Sequence, residues 1–369
     1  MEQQTDITAL LEEQSLSTKT LSFDMSIGEI MSIYQNGELI IDPDFQRLFR
    51  WSREKQSQFI ESLLLEFPIP PVFVIERNDG IYELIDGLQR ITTVLRFFGV
   101  QEIEGENKWS LEGCDLVKEL NGLSVNNLPL SERLKLKRTP LRMVVVKKNS
   151  NPHVKFEIFR RLNTGGEKLS DQEIRNCIMR IINNQFNEFI ISSSRNTNYV
   201  RCIDSLSEER INQKYDQELV LRFFAFKNSR DDFRHDVGEF LTDFMRDVSE
   251  GQKQFDYNHE RNVFEKTFLL LERILGNEIF CSYSRGRFVQ QFRVNFYEAF
   301  TLGIQTVLNK WSDNPEEWDS ELIERYKTCL IEIRVDSEFL KFTGAGSNTN
   351  RMLSGRIDFV AGKLVNLHE

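Results

Sequence analysis

Residues that mark metal centres and disulfide frameworks are scarce in this sequence. Its 369 residues include 5 cysteines and 4 histidines, and no two cysteines form a C-x-x-C pair. The cysteines are scattered and odd in number, which is typical of reduced thiols in a cytoplasm. No two histidines stand at metal-ligand spacing, so the sequence predicts neither a structural zinc site nor a disulfide framework.

Long apolar stretches and targeting signals are also missing. No run of roughly 18 apolar residues exists, so no transmembrane helix is predicted. The first residues, MEQQTDITALLEEQ, are polar and acidic and therefore unlike a secretory signal. There is no internal repeat and no low-complexity tract. We expect a cytoplasmic protein without a membrane partner, long enough for two domains.

Charged and aromatic residues are frequent, and the charged ones are unevenly distributed along the chain. The formal net charge is −10, yet residues 133–180 carry 13 lysines and arginines against 4 acidic residues. A basic segment on an acidic body is typical of a nucleic-acid footprint, but it also fits a solvated face that offsets acidic neighbours. The 29 phenylalanines predict an aromatic-rich core.

The order of periodic segments predicts an α+β fold, with a small mixed domain followed by an all-helical domain. We place a lead-in at residues 1–40, the mixed domain at 41–170 and the helical domain at 171–369. Apolar spacing predicts helix within the stretch Ser22–Leu39 and again in the stretch that begins at Arg287.

Local signals fix several elements inside this outline. Ser52 is placed to cap a helix that runs to Phe67, and Asp79-Gly80 is a hairpin-turn pair between two β-type runs. LRMVVVKK is a strand candidate. Ser170 and Glu173 have the spacing of a capping box, which predicts a helix start there.

The segment YELIDGLQR carries the strongest candidate site. A β-type run ends at Asp86-Gly87 and an apolar helical run follows, a geometry that aims backbone N–H groups at an anion. Gly87 permits close approach of the backbone, and Arg90 supplies positive charge. Asp86 is a candidate ligand of Mg²⁺ or its waters, and Gln89 is a candidate to orient a water. The alternative is a plain strand-to-helix turn with a capping aspartate.

Two further polar loops are candidates for the same site. The run IDPDFQR ends in Gln46 and Arg47, and Arg47 offers a planar fork to phosphate oxygens. The run FRRLNTGGEK contains Asn163, a candidate ligand for metal or phosphate. The alternative for the second loop is an ordinary helix end, with Gly165 or Gly166 in the left-handed conformation.

Taken in order, these motifs resemble the ParB/sulfiredoxin superfamily, and most of all the N-terminal-domain family of GmrSD-type modification-dependent restriction systems. The resemblance covers roughly Ile41 to Arg180. It implies a nucleotide pocket in which the family motif Asp-Gly-Gln-Gln-Arg falls on Asp86 to Arg90, with Leu88 in place of the first glutamine. The Glu-Asn pair of ParB-like proteins falls near Leu162-Asn163, where leucine replaces the carboxylate. The resemblance therefore supports nucleotide binding more strongly than metal-dependent hydrolysis.

The resemblance and the residues together predict a bacterial NTP-binding regulator that hydrolyses NTP slowly and controls DNA cleavage by a separate nuclease or ATPase effector. Mg²⁺ and a nucleoside triphosphate are the expected ligands, and DNA is an expected partner. The predicted nucleotide-binding residues are Arg47, Gly87, Arg90, Thr92, Asn163 and Gly166. The predicted catalytic residues are Gln46, Asp86 and Gln89, and the predicted metal ligands are Asp86 and Asn163. The predicted DNA-binding residues are Lys135, Lys137, Arg138, Arg160 and Arg161.

Two other functions stay open at this point. The first is a non-enzymatic DNA-binding or assembly module whose phosphate pocket is vestigial or senses a small ligand. The second is a self-contained nuclease toxin built on Glu106-Asn107-Lys108, although His235 and His259 lack the neighbours of an HNH nuclease site. The apolar faces predicted for the helical half also leave room for a homodimer.

Overall fold

The computed structural model divides the chain into two compact units, Met1–Lys168 (unit 1) and Leu169–Glu369 (unit 2). Unit 1 contains a mixed sheet with helices and unit 2 is mainly helical, so the predicted α+β class is confirmed. The predicted limits of the lead-in and the two domains stay predictions. The residues that the structure describes are 19–41, 49, 51–77, 79–101, 109–147, 158, 161, 169–234, 236–344 and 349–367.

Unit 1 is built around a five-stranded sheet of order β1-β5-β3-β4-β2. Strand β5 runs parallel to β3, and β2 runs parallel to β4, whereas the other neighbours are antiparallel. The elements in chain order are β1 Thr20–Ser26, α1 Ile27–Gln35, β2 Leu39–Ile40, α2 Arg53–Leu64, β3 Val72–Glu76, β4 Tyr82–Asp86, α3 Leu88–Phe97, α4 Leu130–Arg138 and β5 Pro140–Val146.

The first strand of unit 1 was not predicted. The helix predicted within the stretch Ser22–Leu39 is confirmed at Ile27–Gln35, but the residues before it form β1, which extends to Ser26 and pairs with β5. The Ser26 hydroxyl accepts a hydrogen bond from the Glu29 N–H at 3.2 Å and so caps α1. The described part of the predicted lead-in therefore contributes an edge strand to the sheet.

The hairpin that leads into the candidate site has the predicted form. Strands β3 and β4 pair antiparallel across a turn in which Gly80 has a φ of 84°. The Asp79 side chain accepts a hydrogen bond from the Ile81 N–H at 3.2 Å, which is the usual role of aspartate in a turn. This turn lies at the opposite end of β4 from Gly87.

Unit 2 is a helical bundle with a short hairpin inserted. The Ser170–Glu173 capping box that starts it is present as predicted. The α-helices and strands are α5 Asp171–Ile182, α6 Asn184–Ser193, α7 Thr197–Cys202, α8 Glu208–Asn212, α9 Tyr215–Ser229, α10 Val237–Ser249, α11 Tyr257–Leu275, β6 Cys281–Ser284, β7 Arg287–Phe292, α12 Val294–Gly303, α13 Ser320–Ile333, α14 Ser337–Leu340 and α15 Asn350–Val365. No helix that the structure describes is long and apolar enough to cross a bilayer.

The interior of unit 2 is dense in phenylalanine, as predicted. Phe223 and Phe224 of α9 meet Phe264 of α11 with ring centroids 5.4 and 5.5 Å apart, and Phe264 meets Phe268 at 4.5 Å. These edge-on, stacked and tilted ring pairs add to the free energy gained from burial. The aromatic cluster therefore holds the central helices together.

The hairpin β6–β7 was missed, because the stretch from Arg287 onward was predicted as helix. Its two-residue turn consists of Arg285 and Gly286, whose φ values of 52° and 76° are both left-handed. Such a turn favours an antiparallel hairpin. Arg334, the residue after α13, holds the hairpin in place, because its guanidinium donates to the carbonyl of Cys281 at 3.2 Å.

A buried ionic chain of five side chains crosses unit 2. Arg175 of α5 and Arg222 of α9 donate to the two carboxylate oxygens of Glu218, at 3.1 and 3.2 Å. Arg222 also donates to Glu298 of α12 at 2.6 Å, and Arg356 of α15 donates to the other Glu298 oxygen. Four helices are joined by these charge-assisted hydrogen bonds.

Candidate functional site

The predicted turn between β4 and α3 is present. Strand β4 ends at Asp86, Gly87 has a φ of 98° and a ψ of 14°, and α3 begins at Leu88. Gly87 is the N-cap, and within the described residues no side chain caps the helix. The first turn of an uncapped helix presents backbone N–H groups and the positive end of the helix dipole, which favours an anion.

Gly87 meets two constraints at once. Its positive φ disfavours a residue with a Cβ atom, and a Cβ built there would lie 3.1 and 3.2 Å from the two methyl carbons of Val72. Val72 is fully buried in β3 and has little room to move. The close packing of α3 on β3 therefore depends on glycine at this position.

Replacing Gly87 with alanine is expected to lower the free energy of unfolding of unit 1 by about 1–2 kcal/mol, because left-handed backbone strain adds to the contact with Val72. Thermal or urea unfolding of the full chain measures the change. Gly99→Ala is the matched control, because Gly99 has a φ of 70° but nothing within 4 Å of the added Cβ. Equal losses in the two variants would show that the contact with Val72 contributes nothing.

Arg90 and Asp86 form a clamp around the turn. Arg90 Nη2 donates to Asp86 Oδ2 at 2.6 Å, and Nη1 donates to the carbonyls of Pro71, at 3.0 Å, and Pro70. Only 13% of the Arg90 side chain is exposed. The structure thus gives both terminal nitrogens of Arg90 acceptors within the protein. The predicted roles of Arg90 toward phosphate and of Asp86 toward Mg²⁺ stay predictions.

Gln89 faces the segment that precedes α2. Its side-chain oxygen accepts a hydrogen bond from the Trp51 N–H at 3.1 Å, while Gln56 of α2 donates to the Trp51 carbonyl at 2.9 Å. The Trp51 ring packs edge-on against Phe59 with centroids 5.5 Å apart. Gln89 and Gln56 therefore hold the Trp51 backbone from both sides, and the predicted water-orienting role of Gln89 stays a prediction.

Thr92 lies on the same face of α3 as Gln89, since residues three apart on a helix are neighbours. It is buried, and its hydroxyl oxygen has no hydrogen-bond partner among the residues described. Gln56 of α2 is also buried, and its side-chain oxygen likewise has no hydrogen-bond partner among the residues described. Buried polar atoms without hydrogen-bond partners are uncommon in folded proteins, and here one lies on α2 and one on α3. They indicate that the interior beside the turn is polar.

Two arginines, one on α2 and one on α3, were not singled out from the sequence. Arg53 begins α2, and its guanidinium carbon lies 5.2 Å from the centre of the Trp109 ring. Arg96 lies in the last turn of α3, and its guanidinium carbon lies 4.1 Å from the centre of the Phe49 ring. The available signal was the helical spacing, because Arg96 follows Gln89 by seven residues and so shares its face.

The comparison with protein families bears on this unit. Residues 27–180 match the model of the GmrSD restriction endonuclease, N-terminal domain. That segment is a GmrSD-type N-terminal domain. The match implies a component of a restriction or phage-defence system and suggests interaction with DNA. No curated protein and no solved structure matched the chain.

The GmrSD-type domain extends beyond unit 1 along the sequence. The match begins at α1, contains the Gly87 turn, and ends at residue 180, within α5. Helix α5 contributes Arg175 to the buried ionic chain of unit 2. The family's sequence pattern therefore includes the first helix of the helical unit.

Several predicted residues of the GmrSD-type domain lie outside the described part of the chain. They are Gln46, Arg47, Arg160, Asn163 and Gly166. Whether they join Asp86, Gly87 and Arg90 is thus not determined by the structure, and their roles stay predictions. The structure brings together the other predicted nucleotide and catalytic residues, which are Asp86, Gly87, Gln89, Arg90 and Thr92, because all of them lie on the turn or on α3.

The predicted DNA-binding residues that the structure describes differ in exposure. Lys135 of α4 donates to Glu66 and to the carbonyl of Leu64, both at 3.0 Å. Lys137 and Arg138 are exposed in the last turn of α4. The described residue Arg161 is exposed as well.

Other cations of the same basic segment are paired with acidic side chains. Arg142 of β5 pairs with Asp24 of β1 at 2.5 Å, and Lys147 pairs with Glu76 at 3.5 Å. These pairs follow the pattern of a basic segment that offsets acidic neighbours. Lys137 and Arg138 are the part of α4 that suits an external anion.

Metal binding has limited support from the residues described. Among them no three histidine, cysteine, aspartate or glutamate side chains gather as a possible metal site. Asp86 is the described member of the predicted pair of metal ligands, and its Oδ2 already accepts from Arg90. Its other oxygen is the one that suits a cation or a cation-bound water, so Asp86 fits Mg²⁺ as a single ligand and not as part of a cage.

Unit 2 has a cleft of about 1130 Å³ that is a competing place for a ligand. Its lining includes Trp311, Trp318 and two lysines. Lys227 pairs with Glu260 at 2.8 Å, and Lys266 pairs with Asp313 at 2.6 Å. Both lysines, like Arg90, already have carboxylate partners, but the turn of the GmrSD-type domain also presents the backbone N–H groups of an uncapped helix start, so it suits a triphosphate better than this cleft does.

Proposed function

We propose that the chain is the NTP-binding regulatory component of a restriction or phage-defence system and controls DNA cleavage by a separate effector. The uncapped strand–Gly87–helix turn carries the proposal, because it lies inside the GmrSD-type segment and has the geometry that favours phosphate. The lack of room for a Cβ atom between Gly87 and buried Val72 supports a rigid turn, which a phosphate-binding backbone needs.

The proposed roles follow the chemistry of each side chain. Backbone N–H groups after Gly87 face the phosphates, with Arg47, Asn163 and Gly166 as further nucleotide contacts and Thr92 supporting the turn from inside. Gln46 or Gln89 positions the attacking water for slow hydrolysis of the terminal phosphate. When bound with the nucleotide, Mg²⁺ neutralises charge on the phosphate oxygens, and Asp86 and Asn163 would hold it or its waters.

Calorimetric titration of the full chain with ATP, GTP and CTP tests the proposal, with and without Mg²⁺. Saturable binding of at least one nucleotide is expected, with a dissociation constant in the micromolar range or tighter, which is about −8 kcal/mol. A phosphate-release assay with and without DNA then tests slow hydrolysis. An absence of binding for all three nucleotides would contradict the proposed function.

A second candidate is a DNA-binding or assembly module that does not use nucleotide. The observation in its favour is the Arg90 clamp, because a turn whose arginine is already bound to Asp86 and two carbonyls is also a stable scaffold. Salt-dependent DNA binding that is unchanged by any nucleotide would support this candidate over the first.

A sedimentation measurement on the same sample tests the predicted homodimer.

Lys137 and Arg138 provide a direct test of DNA contact. The double variant Lys137→Gln/Arg138→Gln is expected to weaken DNA binding uniformly across sequences. The slope of log K against log salt should fall by up to about 2, because two phosphate contacts are lost. Fluorescence anisotropy of labelled DNA at several salt concentrations measures both quantities.

The control for this test has the same charge change at other exposed lysines. Lys327 and Lys341 of unit 2 are paired with Glu324 and Glu338 within their own helical segments. The variant Lys327→Gln/Lys341→Gln is expected to leave the salt slope near its original value. Equal effects of the two double variants would show that DNA responds to net charge and not to the end of α4.

A further inference from the structure

Arg96 is a partly buried cation whose side chain has no anionic partner among the residues described. Burial lowers the pKa of its guanidinium, and the charge of Arg53 lowers this pKa further. In the part of the chain that the structure describes, no hydrogen bond or ion pair joins the Arg96 side chain to another residue, and its Nε atom is buried without an acceptor. Burying a charge costs free energy unless a partner compensates it, so this position favours an anion.

The aromatic contact of Arg96 leaves its hydrogen-bonding edge available. The guanidinium carbon of Arg96 lies over the Phe49 ring, 4.1 Å from its centre. Stacking of this kind orients the guanidinium but uses none of its in-plane N–H groups. The planar fork that remains matches two oxygens of a phosphate group.

Arg53 adds a second positive charge at the same place. Its guanidinium lies over Trp109, and the Trp109 ring packs edge-on against Phe97, the residue after Arg96, with centroids 5.2 Å apart. Burial lowers the pKa of Arg53, and the nearby carboxylate of Glu112 raises it. Arg53 thus has some compensation from an acidic neighbour, whereas Arg96 has none in the described residues.

We propose that Arg96, with Arg53 beside it, forms a phosphate-binding site at the C-terminal end of α3. The site lies about 12 Å along the helix from Leu88, since each residue adds about 1.5 Å, so it is distinct from the Gly87 turn. Cover by Phe49 and Trp109 favours the compact phosphate tail of a free nucleotide or an inorganic polyphosphate. A DNA backbone would need a row of exposed cations.

The test is titration of the full chain with inorganic tripolyphosphate and, separately, with ATP, GTP, CTP and a short DNA strand. Tripolyphosphate is expected to bind the original chain. Arg96→Gln should weaken this binding about tenfold or more, because the loss of a charge-assisted bidentate contact is worth at least that factor. Arg96→Lys, which keeps the charge and its place in the last helical turn, should show an intermediate loss, and Arg53→Gln a smaller one.

Arg77→Gln is the matched control, because it removes the same charge at the far end of β3, where Arg77 pairs with Asp79. It should bind tripolyphosphate as the original chain does, and thermal melts should show that all variants are folded. Tripolyphosphate that fails to bind, or that binds Arg96→Gln, Arg96→Lys and the original chain equally, would overturn the site. Binding of the DNA strand alone that depends on Arg96 would overturn the assignment to a small phosphate ligand.

The proposed function and the Arg96 site are tested by different results of these titrations. Tripolyphosphate binding that is unchanged in Arg96→Gln, with nucleotide still bound, would overturn this site and leave nucleotide binding at the Gly87 turn intact. Tripolyphosphate binding that depends on Arg96, with no nucleotide bound by any variant, would support the site and contradict the proposed function.

Discussion

Replacing Glu298 with glutamine is expected to lower the free energy of unfolding of unit 2 by about 3–5 kcal/mol. Glu298 is 2% exposed and accepts hydrogen bonds from Arg222 and Arg356. Burial alone would lower the pKa of Arg222, but the Glu298 carboxylate raises it above the ordinary value. The variant therefore leaves two buried guanidinium groups with too little negative charge. Urea unfolding, followed by circular dichroism, measures the loss.

Two further variants test whether the loss in Glu298→Gln comes from the buried ionic chain. Glu265→Gln removes the same charge from an exposed position of α11 and is expected to change stability by less than about 0.5 kcal/mol. The double variant Glu298→Gln/Arg356→Met should lose less than the sum of its single changes, because it removes a cation together with its anion. Strict additivity would contradict a coupled ionic chain.

The same ionic chain predicts a dependence of stability on pH. Burial alone would raise the pKa of Glu218, but the charges of Arg222 and Arg175 outweigh burial and hold it below the ordinary value of 4.5. A carboxylate with a lowered pKa in the folded state stabilises the fold fully above the unfolded pKa and loses this contribution as pH falls. Unfolding free energies measured from pH 7 downward should therefore decline below about pH 4.5. This part of the decline should be absent in Glu218→Gln.

Replacing Arg90 with alanine is expected to lower the free energy of unfolding of unit 1 by about 2–3 kcal/mol, because hydrogen bonds from a charged donor are the strong ones. The change removes the donors to Asp86, Pro70 and Pro71 together. Asp86→Ala should cost less, about 1 kcal/mol, since Arg90 keeps its two carbonyl acceptors. Thermal unfolding of the full chain compares the two variants. A larger loss in Asp86→Ala would contradict the clamp.

The Arg90 result decides how nucleotide-binding data on this variant are interpreted. If Arg90→Ala both loosens the turn and abolishes binding, the loss reflects geometry as well as any direct contact with phosphate. Gly87→Ala disturbs the backbone without changing charge, and Arg96→Gln changes charge at the far end of α3. Comparing these variants separates the rigid turn from the positive charge as the source of affinity.

Elements with local signals were predicted well. The hairpin turn at Asp79-Gly80, the turn at Gly87 and the capping box at Ser170 each depend on residues within a few positions of one another. Short-range backbone preferences and apolar spacing are sufficient to identify such elements. The GmrSD-type segment was recognised for the same reason, because its motifs are short and ordered.

Elements fixed by distant partners were not predicted. Strand β1 is defined by pairing with β5 at the other end of unit 1, and apolar helical spacing just beyond it concealed the strand. The hairpin β6–β7 depends on Arg334, which follows it by more than forty residues. Two of the three acceptors of Arg90, the carbonyls of Pro71 and Pro70, precede it by 19 and 20 residues, so the clamp was not predicted, while the predicted role of Arg90 toward phosphate stays a prediction. Tertiary context overrides local preference in all these cases.

Hydrogen exchange at the start of α3 tests the central claim most directly. The first backbone amides of a helix lack intrahelical acceptors, so residues 88–90 should exchange quickly in the free protein. If a nucleoside triphosphate binds at the Gly87 turn, saturating nucleotide should slow exchange in a peptide that covers residues 82–97 and leave the peptides of the unit 2 cleft unchanged. Bound nucleotide with unaltered exchange at 82–97, or with protection confined to unit 2, would contradict the account.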